Sequence, residues 1–131
     1  MTPVFDSLDS ITLHVRDLDK ARRFYGEVLG LPEAPLPSES GLLLFTLPGG
    51  ARLLMHVQGD QEPGRPAGGP TGLMLATRDA HRSVEEVRRR GGTITDEPWK
   101  APWGPVYATV ADPDGNELVL IQRDVPLPSL A

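Results

Sequence analysis

His14, His56 and Glu117 are the residues whose types could carry chemistry. An imidazole titrates near neutral pH, and a carboxylate beside it completes a minimal acid–base pair. Two imidazoles and one carboxylate also form a respectable ligand set for a transition metal. A lone His on a strand is more commonly a hydrogen-bonded wall residue, and that is the plainer reading of both. No Cys is present, which excludes disulfides, a thiolate nucleophile and Cys-based zinc sites. The second group is aromatic. The chain has 2 Trp, and both, Trp99 and Trp103, fall in a Pro-rich stretch that reads as a loop. A Trp face can receive a planar ring or, through its quadrupole, a cation. It can equally plug an open sheet end or a dimer contact.

The elements that must position these residues are legible from patterning. Residues 10–15 alternate polar and apolar, a strand with Ser10, Thr12 and His14 on one side. Asp17 or Asp19 can cap the next segment, where Leu18, Ala21, Phe24, Tyr25, Val28 and Leu29 recur at helical steps. Gly30 ends that helix and Pro32 follows. Residues 42–47 and 51–57 read as a hairpin around Pro48-Gly49-Gly50. His56 and Leu54 then share a strand face, two residues apart, with Arg52 beyond them.

The pattern then starts again. Residues 59–70, rich in Gly and Pro, read as a linker, with a phosphate-cradling loop disfavoured by the lack of a following Lys-Ser/Thr. Residues 72–77 form a strand that carries Met74, and Asp79 caps a helix with the stripe Ala80, Val84 and Val87. His81 at its start reads as solvated. Arg88, Arg89 and Arg90 suit the negative end of the helix dipole and lie within reach of Glu85 and Glu86. After a short extended piece at 93–95 and the Trp-bearing loop comes the last hairpin. Its turn is Asp112-Pro113-Asp114-Gly115. On its second strand Glu117, Val119 and Ile121 share one face, and Leu118 and Leu120 the other. Tyr107, on its first strand, reads as part of the groove wall or as packed behind it.

Gly30 and Gly91, and the turns at Gly50 and Gly115, recur at nearly the same interval. The expected architecture is therefore α+β: two tandem βαβββ modules over about 8–58 and 71–123, one domain in all, with a loose tail at 124–131. The modules are expected to form a curved mixed sheet around a cleft, helices outside. At 131 residues and 39% apolar composition the chain can bury a real core. Its net charge of -5 argues against nucleic acid as a partner. No apolar run is long enough for a membrane, and no secretory signal is visible, so the expected location is cytoplasmic.

The segment Ile11-Thr12-Leu13-His14-Val15-Arg16-Asp17-Leu18, with Phe24-Tyr25 and Val28-Leu29-Gly30-Leu31, resembles the opening of the vicinal oxygen chelate superfamily. That group contains glyoxalase I, extradiol dioxygenases and the fosfomycin and bleomycin resistance proteins. Asp112-Pro113-Asp114-Gly115-Asn116-Glu117-Leu118 resembles its closing turn and strand, and Pro102-Trp103-Gly104 resembles a groove segment of the bleomycin resistance proteins. The resemblance implies paired modules, commonly in a homodimer. In enzymatic members it also implies a divalent metal held by His and Glu on four strands. Carried over by motif, those positions fall on Ser10, Leu54, Gly72 and Val119. Only Ser10 has a polar side chain, and none supplies the imidazole or carboxylate such metals want.

The expectation is a binder of a small organic ligand, possessing no metal and no cofactor, and sequestering an antibiotic by mass action. Its expected lining is His14, Arg52, Leu54, His56, Met74, Trp99, Trp103, Glu117 and Val119. The alternatives are a metal-dependent lyase, isomerase or dioxygenase with shifted ligands, or a metal-free enzyme using His14 or His56 with Glu117.

Overall fold

The computed structural model describes residues 2–57 and 67–124. Contacts divide the chain into two compact units, Met1–Ala67 and Gly68–Ala131. Most of the expected linker, and the tail beyond Asp124, lie outside the described residues.

Unit one runs β1 (Ser10–Val15), α1 (Leu18–Arg22), β2 (Glu33–Ala34), β3 (Leu42–Thr46) and β4 (Arg52–Val57). Its sheet order is β1-β4-β3-β2, with β1 parallel to β4 and the other pairs antiparallel. Asp17 caps α1 by accepting from the Lys20 N–H at 3.1 Å. Beyond Arg22 the helix widens into a π-helical stretch, Arg23–Val28, closed by the Leu29 N–H on the Phe24 carbonyl at 2.9 Å. The continuous α-helix expected to Leu29 is corrected to this extent. The stretch buries two consecutive aromatics, Phe24 and Tyr25. Tyr25 lies 5.9 Å from the Phe45 ring and packs within a core of Leu13, Val15, Leu43, Leu53 and Met55. These residues sit at every second position of β1, β3 and β4, so the opposite positions form the face that carries His14.

Unit two repeats the plan. It runs β5 (Gly69–Ala76), α2 (Ala80–Arg89), β6 (Thr93–Lys100), β7 (Val106–Ala111) and β8 (Asn116–Gln122), in sheet order β5-β8-β7-β6. Again the first strand is parallel to the last and the rest are antiparallel. The two-module α+β expectation is met in element order, and the two sheets share one strand order. Asp79 caps α2 by accepting from the Arg82 N–H, and Ala80, Val84 and Val87 bury the expected stripe. It packs toward Ala108, Val110, Leu118 and Leu120, all buried.

The strand that the βαβββ order calls for after the first helix is β2, only two residues long. Two expectations need correction. β5 begins at Gly69, inside the expected linker. Most importantly, β6 extends to Lys100, so Trp99 stands on a strand and not in a loop. Pro98 is tolerated there because β6 is an edge strand whose pairing shifts register between Ile94 and Asp96 and between Asp96 and Trp99.

The last turn ties unit two together. The Asp112 side chain accepts from the N–H groups of Asp114 and Asn116, both at 2.9 Å. The Asn116 amide donates to Asp112 Oδ2 at 2.8 Å and accepts from the Gly68 N–H at 2.8 Å. Both side chains are buried. Gly68 has φ of 102°, and a Cβ there would meet the Asp114 carbonyl at 3.0 Å. Only glycine lets the start of β5 pass this close to the turn.

Candidate functional site

On unit one, the face away from α1 carries Ser10, Thr12 and His14 from β1 beside Arg52, Leu54 and His56 from β4. The parallel register puts Ser10 opposite Arg52, Thr12 opposite Leu54 and His14 opposite His56. The two imidazoles therefore meet, ring centroids 5.6 Å apart and nearly perpendicular. Leu42 and Leu44 of β3 continue the face next to His56 and Leu54. Both His are half-buried, whereas Arg52 is exposed. The structure thus brings together His14, Arg52, Leu54 and His56 on one face of unit one, through the parallel register of β1 and β4.

On unit two, the face away from α2 is built in rows. Trp99 pairs with Tyr107, Tyr107 with Ile121, and Ile121 with Ala76. The next row is Thr109, Val119 and Met74, and the next is Ala111 and Glu117. Trp103 folds back over the first row from the turn after β6. Its indole N–H donates to the Tyr107 hydroxyl at 3.1 Å. Trp99 and Trp103 lie 6.0 Å apart at 88°, and Tyr107 lies 5.7 Å from Trp99 and 6.0 Å from Trp103. The result is a three-ring corner. Trp99 is 48% exposed, Trp103 68% and the neighbouring Met74 50%. These large apolar side chains form one exposed group, uncommon on the surface of a folded domain.

Met74, Trp99, Trp103, Glu117 and Val119 thus share one face. Tyr107, whose position the sequence left open, stands on this same face beside Trp99. Its membership follows from its register with Trp99 and not from any local motif. His81 is exposed at the start of α2, outside this face. The arginine run is absorbed into ion pairs. Arg88 reaches Glu97 on β6 at 2.7 Å and also pairs with Glu85, and Arg89 and Arg90 both engage Glu86. The hydrogen bond from Arg89 holds the Glu86 carboxyl below its ordinary value.

The positions at which the resemblance calls for metal ligands do not fit a metal. Leu54 and Val119 have no donor atom, and Ser10 offers a neutral hydroxyl. At Gly72 the backbone itself departs. Its φ is 79°, and it stands where the β5–β8 pairing shifts register between Pro70 and Met74. Thr71 fills the irregularity by donating to the Glu117 carbonyl at 2.7 Å and accepting from the Leu73 N–H at 3.1 Å. A His side chain would be strained at Gly72 even though the space is open. Among the described residues no cluster of three or more His, Asp or Glu could hold a metal ion. No helix among them is long and apolar enough to cross a membrane.

The chain is 34% identical over 122 residues to lactoylglutathione lyase GLX1 of Arabidopsis thaliana, covering 86% of this chain and 43% of that one. It therefore spans less than half the length of the plant protein. A probable lactoylglutathione lyase of Synechocystis sp. is 31% identical over 119 residues, 84% of this chain and 90% of that one. Among solved structures, a superfamily member from Sphaerobacter thermophilus superposes with a TM-score of 0.81 at 30% identity, over 92% of this chain and 100% of that one. TnmS3, an antibiotic binding protein from Streptomyces sp. CB03234, gives 0.79 at 30% identity, over 94% and 100%. The profile of one protein family matches residues 7–120, and with the repeated βαβββ order it settles the assignment: the chain belongs to the Glyoxalase/Bleomycin resistance protein/Dioxygenase superfamily.

Proposed function

We propose that this chain is a small-molecule-binding protein that works without a metal and holds an aromatic ligand, of antibiotic type, away from its target. The observation that carries this reading is the exposed corner of Trp99, Trp103 and Tyr107 beside the apolar floor of Met74, Val119 and Ile121. Such a surface supplies stacking area and desolvation, which is what a passive receptor needs. The four ligand positions of the metal-dependent members are occupied by groups that do not bind a divalent cation. The likeness to TnmS3, an antibiotic binding protein, supports the same reading. In this reading His14, Arg52, Leu54 and His56 are ligand-contacting residues on the face of unit one, and the protein acts as a cytoplasmic homodimer.

A second reading is enzymatic. It rests on the relatives named as lactoylglutathione lyases and on the contact between His14 and His56. In it these imidazoles act as acid and base or as displaced ligands. Titration of the intrinsic tryptophan fluorescence with bleomycin and with planar cationic drugs decides between them. Saturable quenching that Trp103→Ala abolishes, unchanged by a chelator, supports the receptor. Absence of quenching, together with a chelator-sensitive lyase activity that His56→Ala lowers by orders of magnitude, supports the enzyme.

A further inference from the structure

Resting on the receptor reading, we infer that the ligand of the unit-two face is an elongated planar polycycle with a hydrogen-bond acceptor at one end and an amine cation at the other. The acceptor end is set by Tyr107. Its hydroxyl oxygen already accepts the Trp103 indole N–H, so its own hydrogen is left to be donated. A carbonyl stacked in the Trp99–Trp103 corner lies within its reach.

The cationic end is set by Glu117. It shares the face of Val119 and Ile121, while Leu118 and Leu120 are buried on the other side. Its carboxylate enters no ion pair among the described residues. No basic side chain lies among the residues of these rows. Lys100, the one lysine on β6, is engaged with the Gly104 carbonyl at 2.7 Å and the Asp124 carboxylate at 2.9 Å. The open Trp faces also favour positive charge through their quadrupoles.

The length follows from β8. Ile121 stands opposite Tyr107, and Glu117 is four residues back along the strand, about 13 Å at the usual rise of a strand. Between the two ends the floor is Val119 and Met74, apolar and adaptable at Met74, with Thr109 beside Val119. Three fused rings with a short aminoalkyl arm fill that span. A flat neutral ring would leave the carboxylate end unused, and an anionic ligand would meet it unfavourably.

The test uses the full chain and two probes of one shape, N-aminopropyl-acridone and N-hydroxypropyl-acridone, titrated by acridone anisotropy and tryptophan quenching. Variants are first checked for native circular dichroism. The expected result is that the amine binds about tenfold tighter than the alcohol, the size of one charge-assisted hydrogen bond. Glu117→Gln should erase that advantage and leave the alcohol unchanged. Tyr107→Phe should weaken both probes by about fivefold, the size of one neutral hydrogen bond. Equal binding of both probes, insensitive to Glu117→Gln, overturns the ligand class while the receptor reading stands. Failure of both probes and of the drugs overturns both. Sedimentation gives the remaining outcome. If Trp103→Ser breaks a dimer and the probes bind only to the monomer, the face is a contact between copies of this chain, and the inference falls.

Discussion

Asn116→Ala tests whether the last turn fixes the registers on which the aromatic face depends. In the native chain the Asn116 amide donates to Asp112 Oδ2 and accepts from the Gly68 N–H, each at 2.8 Å, and its side chain is buried. The substitution removes both bonds. The Gly68 N–H loses its acceptor at the start of β5, and the Asp112 carboxylate loses a donor. Two hydrogen bonds are worth about 1 kcal/mol each net, and a partly buried donor stripped of its acceptor adds about 1–2 kcal/mol. The expected loss is about 2–4 kcal/mol, a large share of the roughly 5–15 kcal/mol that stabilises a typical domain. In urea, with a slope of about 2 kcal/mol per molar, the midpoint falls by roughly 1–2 M at unchanged slope. Asn116→Asp should be no milder, because it sets a second carboxylate against Asp112. A loss under about 0.5 kcal/mol for both variants would refute the idea that this contact anchors β5 to β8.

Gly68→Ala is expected to destabilise by at least about 1 kcal/mol, since φ there is 102° and the new Cβ meets a backbone carbonyl; equilibrium denaturation reads it. Asp79→Ala removes the cap of α2 and should lower stability by about 1 kcal/mol, visible as a lower urea midpoint. The pairing of Glu86 with Arg89 and Arg90 gives a pH dependence of definite sign. Because the hydrogen bond from Arg89 lowers the folded-state pKa of Glu86 below 4.5, its contribution is present above that value and is lost as pH falls through the lower one. The group is exposed, so the effect is small, and Glu86→Gln should flatten the acid limb by slightly lowering the neutral plateau while leaving the acid end unchanged.

Much of the fold was legible because each module states its local rules plainly. Alternation in residues 10–15 and 116–121, the Asp caps at 17 and 79, and the glycine stops at 30 and 91 each correspond to an element that forms. The misses have physical causes. Pro98 argues locally against a strand, yet an edge strand with shifted register needs no N–H from it. The π-helical stretch leaves no mark on a periodicity of 3.6, because it is selected by burying Phe24 and Tyr25 together. β2 is two residues between Pro32 and Pro35, too short for any pattern. The pairing of His14 with His56 and the corner of Trp99, Trp103 and Tyr107 depend on registers between distant segments. Alternation names the faces of single strands. It does not align one strand with another.

Equilibrium dialysis of the purified chain against micromolar zinc, nickel and manganese, followed by metal quantification, tests the central claim most directly. With a hydroxyl, two alkyl groups and a left-handed glycine at the family's ligand positions, retained metal should stay far below one ion per chain, and drug quenching should be the same before and after dialysis. One equivalent of tightly held metal, lost with a chelator and carrying lyase activity with it, would contradict the account.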